Sequence, residues 1–73
     1  MKYTKDDIVK GEDGVEYLIR KVDKLKNKYR AVPLKLYQSG LGDMFTCVIS
    51  DEVIIKLLGK YTKHGIVLGG ITC

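Results

Sequence analysis

Residues 15–37 read VEYLIRKVDKLKNKYRAVPLKLY, and this stretch decides the fold. Valine and tyrosine recur on both sides of a polar connector at 23–28, and these residue types favour strands. Asn27 suits the left-handed backbone position that a tight turn needs. The pattern therefore predicts two antiparallel strands, 15–22 and 29–37, joined by a lysine-rich turn.

The side chains of these two strands suggest how the strands pair. If Asp23 faces Lys28, then Ile19 faces Val32, and the apolar residues of both strands share one face. A slip of one residue would send the two apolar sets to opposite faces, so we expect this register. Pro33 has no amide hydrogen and is expected at an edge, at a bulge or facing outward.

A further strand is predicted before this pair, at Ile8–Lys10. The turn Gly11–Gly14 follows it and contains Asp-Gly, a hairpin signal because both residues tolerate positive φ. Placing Ile8 opposite Ile19 extends the apolar face. Three sequential antiparallel strands are therefore expected.

Further along the chain, the sequence predicts a loop at 38–43 and a fourth strand at 44–49. This strand is apolar at nearly every position, so we expect it to be buried on both sides. Cys47 is then a small core residue, and its thiol and that of Cys73 are expected to be reduced. A closing strand is predicted at 66–68.

A helix is predicted over 51–64, between the fourth strand and the closing one. Ser50 is a suitable N-cap, and Gly65 suits a left-handed helix end. The apolar stripe of this helix consists of Val53, Ile54, Leu57, Leu58 and Tyr61. The β-branched run Val53–Ile55 leaves a strand open as the alternative.

Two motifs near the start of the chain, Asp7-Ile8-Val9-Lys10 and then Asp13-Gly14-Val15-Glu16-Tyr17, resemble the opening of SH3-like small barrels, and the likeness extends to Tyr37. With the predicted elements, it implies an α+β, mostly β fold. We expect a small curled antiparallel sheet or an SH3-like barrel of about five strands, with one helix before the last strand. The lysine-rich composition is also similar to that of small bacteriophage accessory proteins, which act on host defence or transcription. Such proteins are often inhibitors or sponges for nucleotide signals.

Positive charge is concentrated in one segment. Residues 20–30 contain six cations and one carboxylate, a formal charge of +5, whereas the whole chain carries +4. In the expected register Lys21 faces Arg30, and such like-charged pairs are unfavourable unless an anion sits between them. Tyr29 and Tyr37 are expected on the strand face opposite the apolar one, where their rings would offer stacking surfaces near this charge. A solubilising hairpin tip is the alternative explanation.

The function predicted from this segment is non-enzymatic binding of a phosphate-bearing ligand, either a nucleic-acid backbone or a small signalling nucleotide. The predicted ligand-binding residues are Arg20, Lys21, Lys24, Lys26, Lys28, Tyr29, Arg30 and Tyr37. The alternative is a small protein-binding inhibitor or adaptor, of the anti-defence kind that phages encode, acting on an acidic host protein.

Catalytic and metal chemistry are poorly supplied in this sequence. His64 is the single histidine, and the two cysteines lie far from it without the usual zinc spacing. No nucleophile motif or phosphate-binding glycine loop is present. We therefore expect no enzymatic activity, no metal and no cofactor.

Length and composition set the remaining expectations. The 73 residues, 45% of them hydrophobic, predict a single domain over 1–73. The charged start and the absence of a long apolar run predict a cytoplasmic protein with no membrane contact. The resemblance to bacteriophage accessory proteins implies that the cell is bacterial or phage-infected. Because so short a chain builds only a small core, we expect a homo-oligomer.

Overall fold

The computed structural model of the chain describes residues 2–67. Within them lie six strands and one short helix. These elements are β1 (Asp7–Gly11), β2 (Glu16–Asp23), β3 (Lys28–Pro33), α1 (Leu34–Gln38), β4 (Cys47–Ile49), β5 (Ile54–Thr62) and β6 (Gly65–Val67). Two single 3-10 turns at Gly42–Met44 and Asp51–Val53 flank β4. No helix in this part of the chain is both long enough and apolar enough to span a bilayer.

The six strands form one antiparallel sheet in the order β4-β3-β2-β1-β5-β6. The sheet is open, since β4 and β6 lie at opposite edges. The prediction of a mostly β protein with an antiparallel sheet is therefore confirmed. The closed SH3-like barrel is wrong, because nothing pairs β4 with β6 among residues 2–67.

Both hairpin turns of the first half form where the sequence predicts them. Gly14 has φ +83°, and its amide donates to the carbonyl of Gly11 at 3.0 Å. Asn27 has φ 54°, a left-handed conformation that asparagine tolerates better than most residues. These two turns connect β1, β2 and β3 as a continuous meander.

The sheet buries apolar residues on both of its faces. Consecutive residues in three strands divide between two clusters, because side chains alternate across a strand. The first face carries Val9, Ile19, Tyr29, Ala31, Ile49 and Ile54. The second face carries Ile8, Leu18 and Val32, with Leu34 of α1 packed over them. Ile49 and Ile54 meet in one cluster although β3, β2 and β1 separate their strands, so the sheet curls around its first face.

The helix predicted over 51–64 is wrong, and the alternative of a strand is right. Asp51–Val53 is a single 3-10 turn, and β5 then pairs with β1. The register of this pair shifts twice, between Ile8 and Val9 and between Lys10 and Gly11. Each shift inserts one extra residue into β5 and breaks its two-residue alternation. The apolar spacing therefore imitates a helical stripe while serving both faces of a strand.

The predicted strand 29–37 ends early, at Pro33, and α1 takes its place. Pro33 has φ −55° and ψ 128°, an extended conformation, and is the last residue of β3. Because Pro33 cannot donate a ladder hydrogen bond, the strand ends there. Leu34 and Tyr37, three apart on α1, then pack on the second face.

The expected β2–β3 register is right near the turn and wrong beyond it. Asp23 faces Lys28 as predicted, but Ile19 faces Ala31 instead of Val32. A shift between Ile19 and Lys21 separates the two parts of the ladder. Apolar alternation could not fix this register, because the sheet is buried on both faces and either alignment pairs apolar residues. In the first hairpin Ile8 accordingly faces Leu18, not Ile19.

The fourth strand is shorter and more exposed than predicted. It spans only Cys47–Ile49 and forms an edge, so Val48 is 59% exposed rather than buried on both sides. Cys47 is half-buried against the first cluster. The closing strand forms as Gly65–Val67, while the rest of its predicted range and Cys73 lie outside the described residues.

Candidate functional site

The β2–β3 turn displays the lysines of the basic segment. The Asp23 carboxylate accepts a hydrogen bond from the amide of Lys26 at 3.3 Å and holds the turn in shape. Lys24, Lys26 and Lys28 are exposed around it, and Leu25 at the tip is 98% exposed. The turn therefore presents its cations to solvent on a defined backbone.

Two rows of side chains continue this charge onto the second face of the sheet. Lys21 on β2 faces Arg30 on β3, which faces Val48 on β4. The neighbouring row pairs Asp23 with Lys28. The alternation along β3 puts Arg30 and Lys28 on the same face as Val32, which identifies this as the second face.

These rows surround a shallow concavity of about 270 Å³. We call it the basic surface, and it is lined by Lys21, Asp23, Lys26, Lys28, Tyr29, Arg30 and Val48. Lys24, also a predicted site residue, lies on the same turn outside this lining. The structure thus brings four of the predicted cations together around one depression.

The cations of the basic surface form no ion pair with any of the described side chains. Among these side chains, those of residues 2–42 and 44–67, the ion pairs are Arg20 with Asp6 and Lys60 with Asp7. Lys21, Lys26, Lys28 and Arg30 therefore share only Asp23, whose carboxylate also caps the turn. Such a concentration of positive charge attracts anions and is weakened by salt.

Tyr29 does not offer the stacking surface that the sequence predicts. Its side chain is fully buried on the first face, because the residues of β3 alternate and Tyr29 lies between Lys28 and Arg30. The hydroxyl of Tyr29 donates to the Asp51 carboxylate and accepts from the amide of Tyr3 at 3.2 Å. Burial and the bond to Asp51 raise the pKa of Tyr29. Tyr29 is therefore a structural residue that connects the chain segments at Tyr3 and Asp51 to the first face.

Arg20 and Tyr37 lie together, outside the lining of the basic surface. The Arg20 guanidinium carbon is 4.9 Å from the centre of the Tyr37 ring, and Nη1 is 3.4 Å from Oδ1 of Asp6. Tyr37 in turn meets the ring of Tyr61 edge to face at 5.3 Å. These contacts define a second depression, lined also by Lys5, Thr62 and Lys63.

Several residues of the basic surface and of the second depression could not be predicted from the sequence. Val48 enters the basic surface only because β4 pairs with β3, and its sequence gives no sign of that partner. Asp6, in the turn before β1, and Tyr61, on β5, join Arg20 in the second depression from parts of the chain that are distant in sequence. The sequence offers one signal for the second depression: Tyr37 and Tyr61 each combine a large ring with a hydroxyl, and such residues are often only partly buried.

The remaining pKa shifts arise from hydrogen bonds and burial, and none of them indicates a reactive side chain. Tyr17 donates to Oδ2 of Asp13 at 2.7 Å, which raises the pKa of Tyr17 to about 12 and lowers that of Asp13. Burial raises the pKa of the Cys47 thiol, so little of the reactive thiolate forms at neutral pH. Among the described residues, no group of three or more histidine, cysteine, aspartate or glutamate side chains is arranged to hold a metal ion.

Comparison with known proteins gives no relative to set beside this geometry: no family model, no curated protein and no solved structure matches the chain.

Proposed function

We propose that this protein is a non-enzymatic binder of a phosphate-bearing ligand, which it contacts through the basic surface. The observation that carries the proposal is the row of Lys21 and Arg30, with Lys26 and Lys28 beside them, around a concavity with one carboxylate. Phosphate oxygens neutralise such a cluster and offset its internal repulsion. A nucleic-acid backbone and a small nucleotide share this chemistry, in keeping with the cytoplasmic, phage-type protein expected from the sequence.

The composition of the surface favours contact with phosphates over reading of base edges. Arg30 is its one arginine, and the other cations are lysines. Base recognition in a groove relies on bidentate side chains, for which lysine is a poor substitute. The buried ring of Tyr29 leaves no exposed aromatic side chain among the lining residues. Binding through this surface is therefore expected to be weakly dependent on sequence.

The test is the salt dependence of binding to inorganic polyphosphate and to an oligonucleotide of roughly 12 nucleotides. The variant Lys26→Gln/Lys28→Gln/Arg30→Gln should bind at least roughly tenfold more weakly at low salt, with a shallower salt slope, because fewer counterions are released. The matched control is Lys2→Gln/Lys35→Gln/Lys56→Gln, which removes the same charge from exposed positions elsewhere. Equal losses in both variants would mean that only net charge matters, and unchanged binding in the first would overturn the proposal.

A second candidate function is capture of an acidic protein by strand addition at β4. β4 is an edge strand whose outer side has no strand partner within residues 2–67, and the exposed Val48 lies beside Arg30. An extended acidic segment would pair with this edge and place its carboxylates against the cations.

Val48→Lys distinguishes the two functions, because it should change the affinities for their two probes in opposite directions. The added cation extends the row of Lys21 and Arg30, so polyphosphate should bind several-fold more tightly. The same lysine places a charge in the contact with an added strand, so a synthetic acidic peptide should bind more weakly. Weaker binding of both probes would point to a distorted β4, and circular dichroism checks the fold.

A further inference from the structure

The second depression has a composition that the basic surface lacks. It measures about 290 Å³ and combines two tyrosine rings with cations. The rings are Tyr37 and Tyr61, and the charged residues are Lys5, Asp6, Arg20 and Lys63. With Asp6 paired to Arg20, Lys5 and Lys63 remain as positive charges at its border.

The contacts inside this depression hold a flat, charged surface in place. Arg20 lies over the face of Tyr37 and is fixed from the side by Asp6, while Tyr61 supports Tyr37 at nearly a right angle, 86°. Arg20 keeps 32% of its side chain exposed. A guanidinium plane held in this way is a platform on which a nucleobase stacks.

The register shift in β2 places this platform on the same face as the basic surface. Arg20 contacts Tyr37, which packs on the second face, and Lys21 pairs with Arg30 of that face. Two consecutive residues of a regular strand would point to opposite sides, but a bulge brings both to one side. The basic surface and the second depression are therefore neighbours on one side of the sheet, joined through Arg20 and Lys21.

The combined area is too wide for a single small ligand. It extends from Val48 on β4 across β3, β2 and β1 to Tyr61 on β5, which is four strand spacings of about 4.8 Å, or roughly 19 Å. A mononucleotide would fill one depression and leave the other empty. A duplex would reach the cations with its phosphates but keep its bases stacked away from Arg20.

We propose that the second face binds single-stranded nucleic acid, with phosphates on the basic surface and one unpaired base stacked on the platform of Arg20 and Tyr37, next to Tyr61. This inference rests on the proposed function, since the basic surface supplies the phosphate contacts. It adds the ligand class and assigns a role in base stacking to Arg20, Tyr37 and Tyr61.

The experiment compares a single-stranded oligonucleotide with an abasic oligonucleotide of equal length and charge, by fluorescence anisotropy. The protein should bind the strand with bases roughly five- to a hundredfold more tightly, the range for one stacked base. Arg20→Lys keeps the charge and the reach to Asp6 but removes the planar group, and Tyr61→Leu keeps apolar packing but removes the ring. Each variant should reduce this preference for bases, because it weakens binding of the strand with bases more than binding of the abasic strand.

The variant Lys26→Gln/Lys28→Gln, in the β2–β3 turn, distinguishes phosphate binding from base stacking. It should weaken binding of the oligonucleotide with bases and of the abasic oligonucleotide equally. If the protein binds both strands alike and Arg20→Lys and Tyr61→Leu change nothing, the base platform is wrong while phosphate binding stands. If neither strand binds at low salt, the proposed function itself fails, and this inference fails with it. Tighter binding of a duplex of equal length would also overturn the inference.

Discussion

Single residues decide which cations of the charged segment lie around one depression. The sequence predicts that Lys21, Lys26, Lys28 and Arg30 lie close together, as they do in the structure, because charge and proximity along a hairpin can be recognised without a structure. It cannot place Arg20, because one extra residue in β2 determines which cation faces which partner. The depth of Tyr29 is also beyond sequence, since its burial depends on how the sheet curls to bring Asp51 over the first face.

The pair of Tyr17 and Asp13 shows how a local bond changes titration. The Tyr17 phenol donates to Asp13, and this bond, more than burial, raises the pKa of Tyr17 from 10.0 to about 12. Because the pKa is higher in the folded state, the bond stabilises the fold below about pH 10. Its contribution is lost as the pH rises through 12.

Asp13→Asn should lower the pKa of Tyr17 towards its ordinary value, measured by tyrosinate absorbance in an alkaline titration. Asparagine keeps the oxygen that accepts from the Val15 amide, so the turn should survive. Asp23→Asn is the matched control, because Asp23 also caps a turn but its recorded bond is to an amide, not a phenol. A titration curve that Asp13→Asn leaves unchanged would contradict the assigned bond.

At the scale of elements, the sequence predicts hairpins better than it predicts the remaining structure. The turns at Gly14 and Asn27 are fixed by local backbone chemistry, so β1, β2 and β3 are found in sequence order. β5 and α1 are reversed in type, since bulges give β5 a helical apolar spacing and Pro33 ends β3 before an apolar run. The bulges of β5 depend on its pairing with β1, a strand distant in sequence, and local pattern does not contain that pairing.

The β2–β3 pair contains two directly opposed cations, which lower folding stability but add positive charge to the basic surface. Lys21 and Arg30 are directly opposed, so Lys21→Glu should convert repulsion into attraction and raise the free energy of unfolding by a few tenths to about 1 kcal/mol at low salt. The same change should lower polyphosphate affinity more than roughly tenfold, because it reverses a charge in the basic surface. Urea denaturation and fluorescence anisotropy measure the two effects.

Lys56→Glu provides the matched control for this experiment. Lys56 faces Lys10 across β5 and β1 and forms a second like-charged pair, outside the basic surface. Its reversal should stabilise the fold by a similar amount and leave affinity nearly unchanged. If Lys21→Glu raises stability without loss of affinity, the row of Lys21 and Arg30 does not contact the ligand.

At the scale of the whole molecule, both faces of the sheet carry buried clusters, so we expect self-association to occur at an edge of the sheet. β4 and β6 form the two edges among residues 2–67, and each exposes apolar side chains. Pairing of two copies through β4 would bring two basic surfaces together, at a large electrostatic cost. Pairing through β6 avoids this, because Lys60 beside it is bound to Asp7 at 3.0 Å. We therefore expect a homodimer to form through β6.

The two edges are distinguished by placing one lysine on each. Val67 is 49% exposed and Val48 is 59% exposed, so neither substitution disturbs a core position. Val67→Lys should shift the protein to a monomer in light scattering coupled to size exclusion, because a charge on the edge opposes strand pairing. Val48→Lys should leave the mass of the assembly unchanged. The reverse result would assign the interface to β4, and that interface should strengthen with salt, since salt screens the repulsion between two basic surfaces.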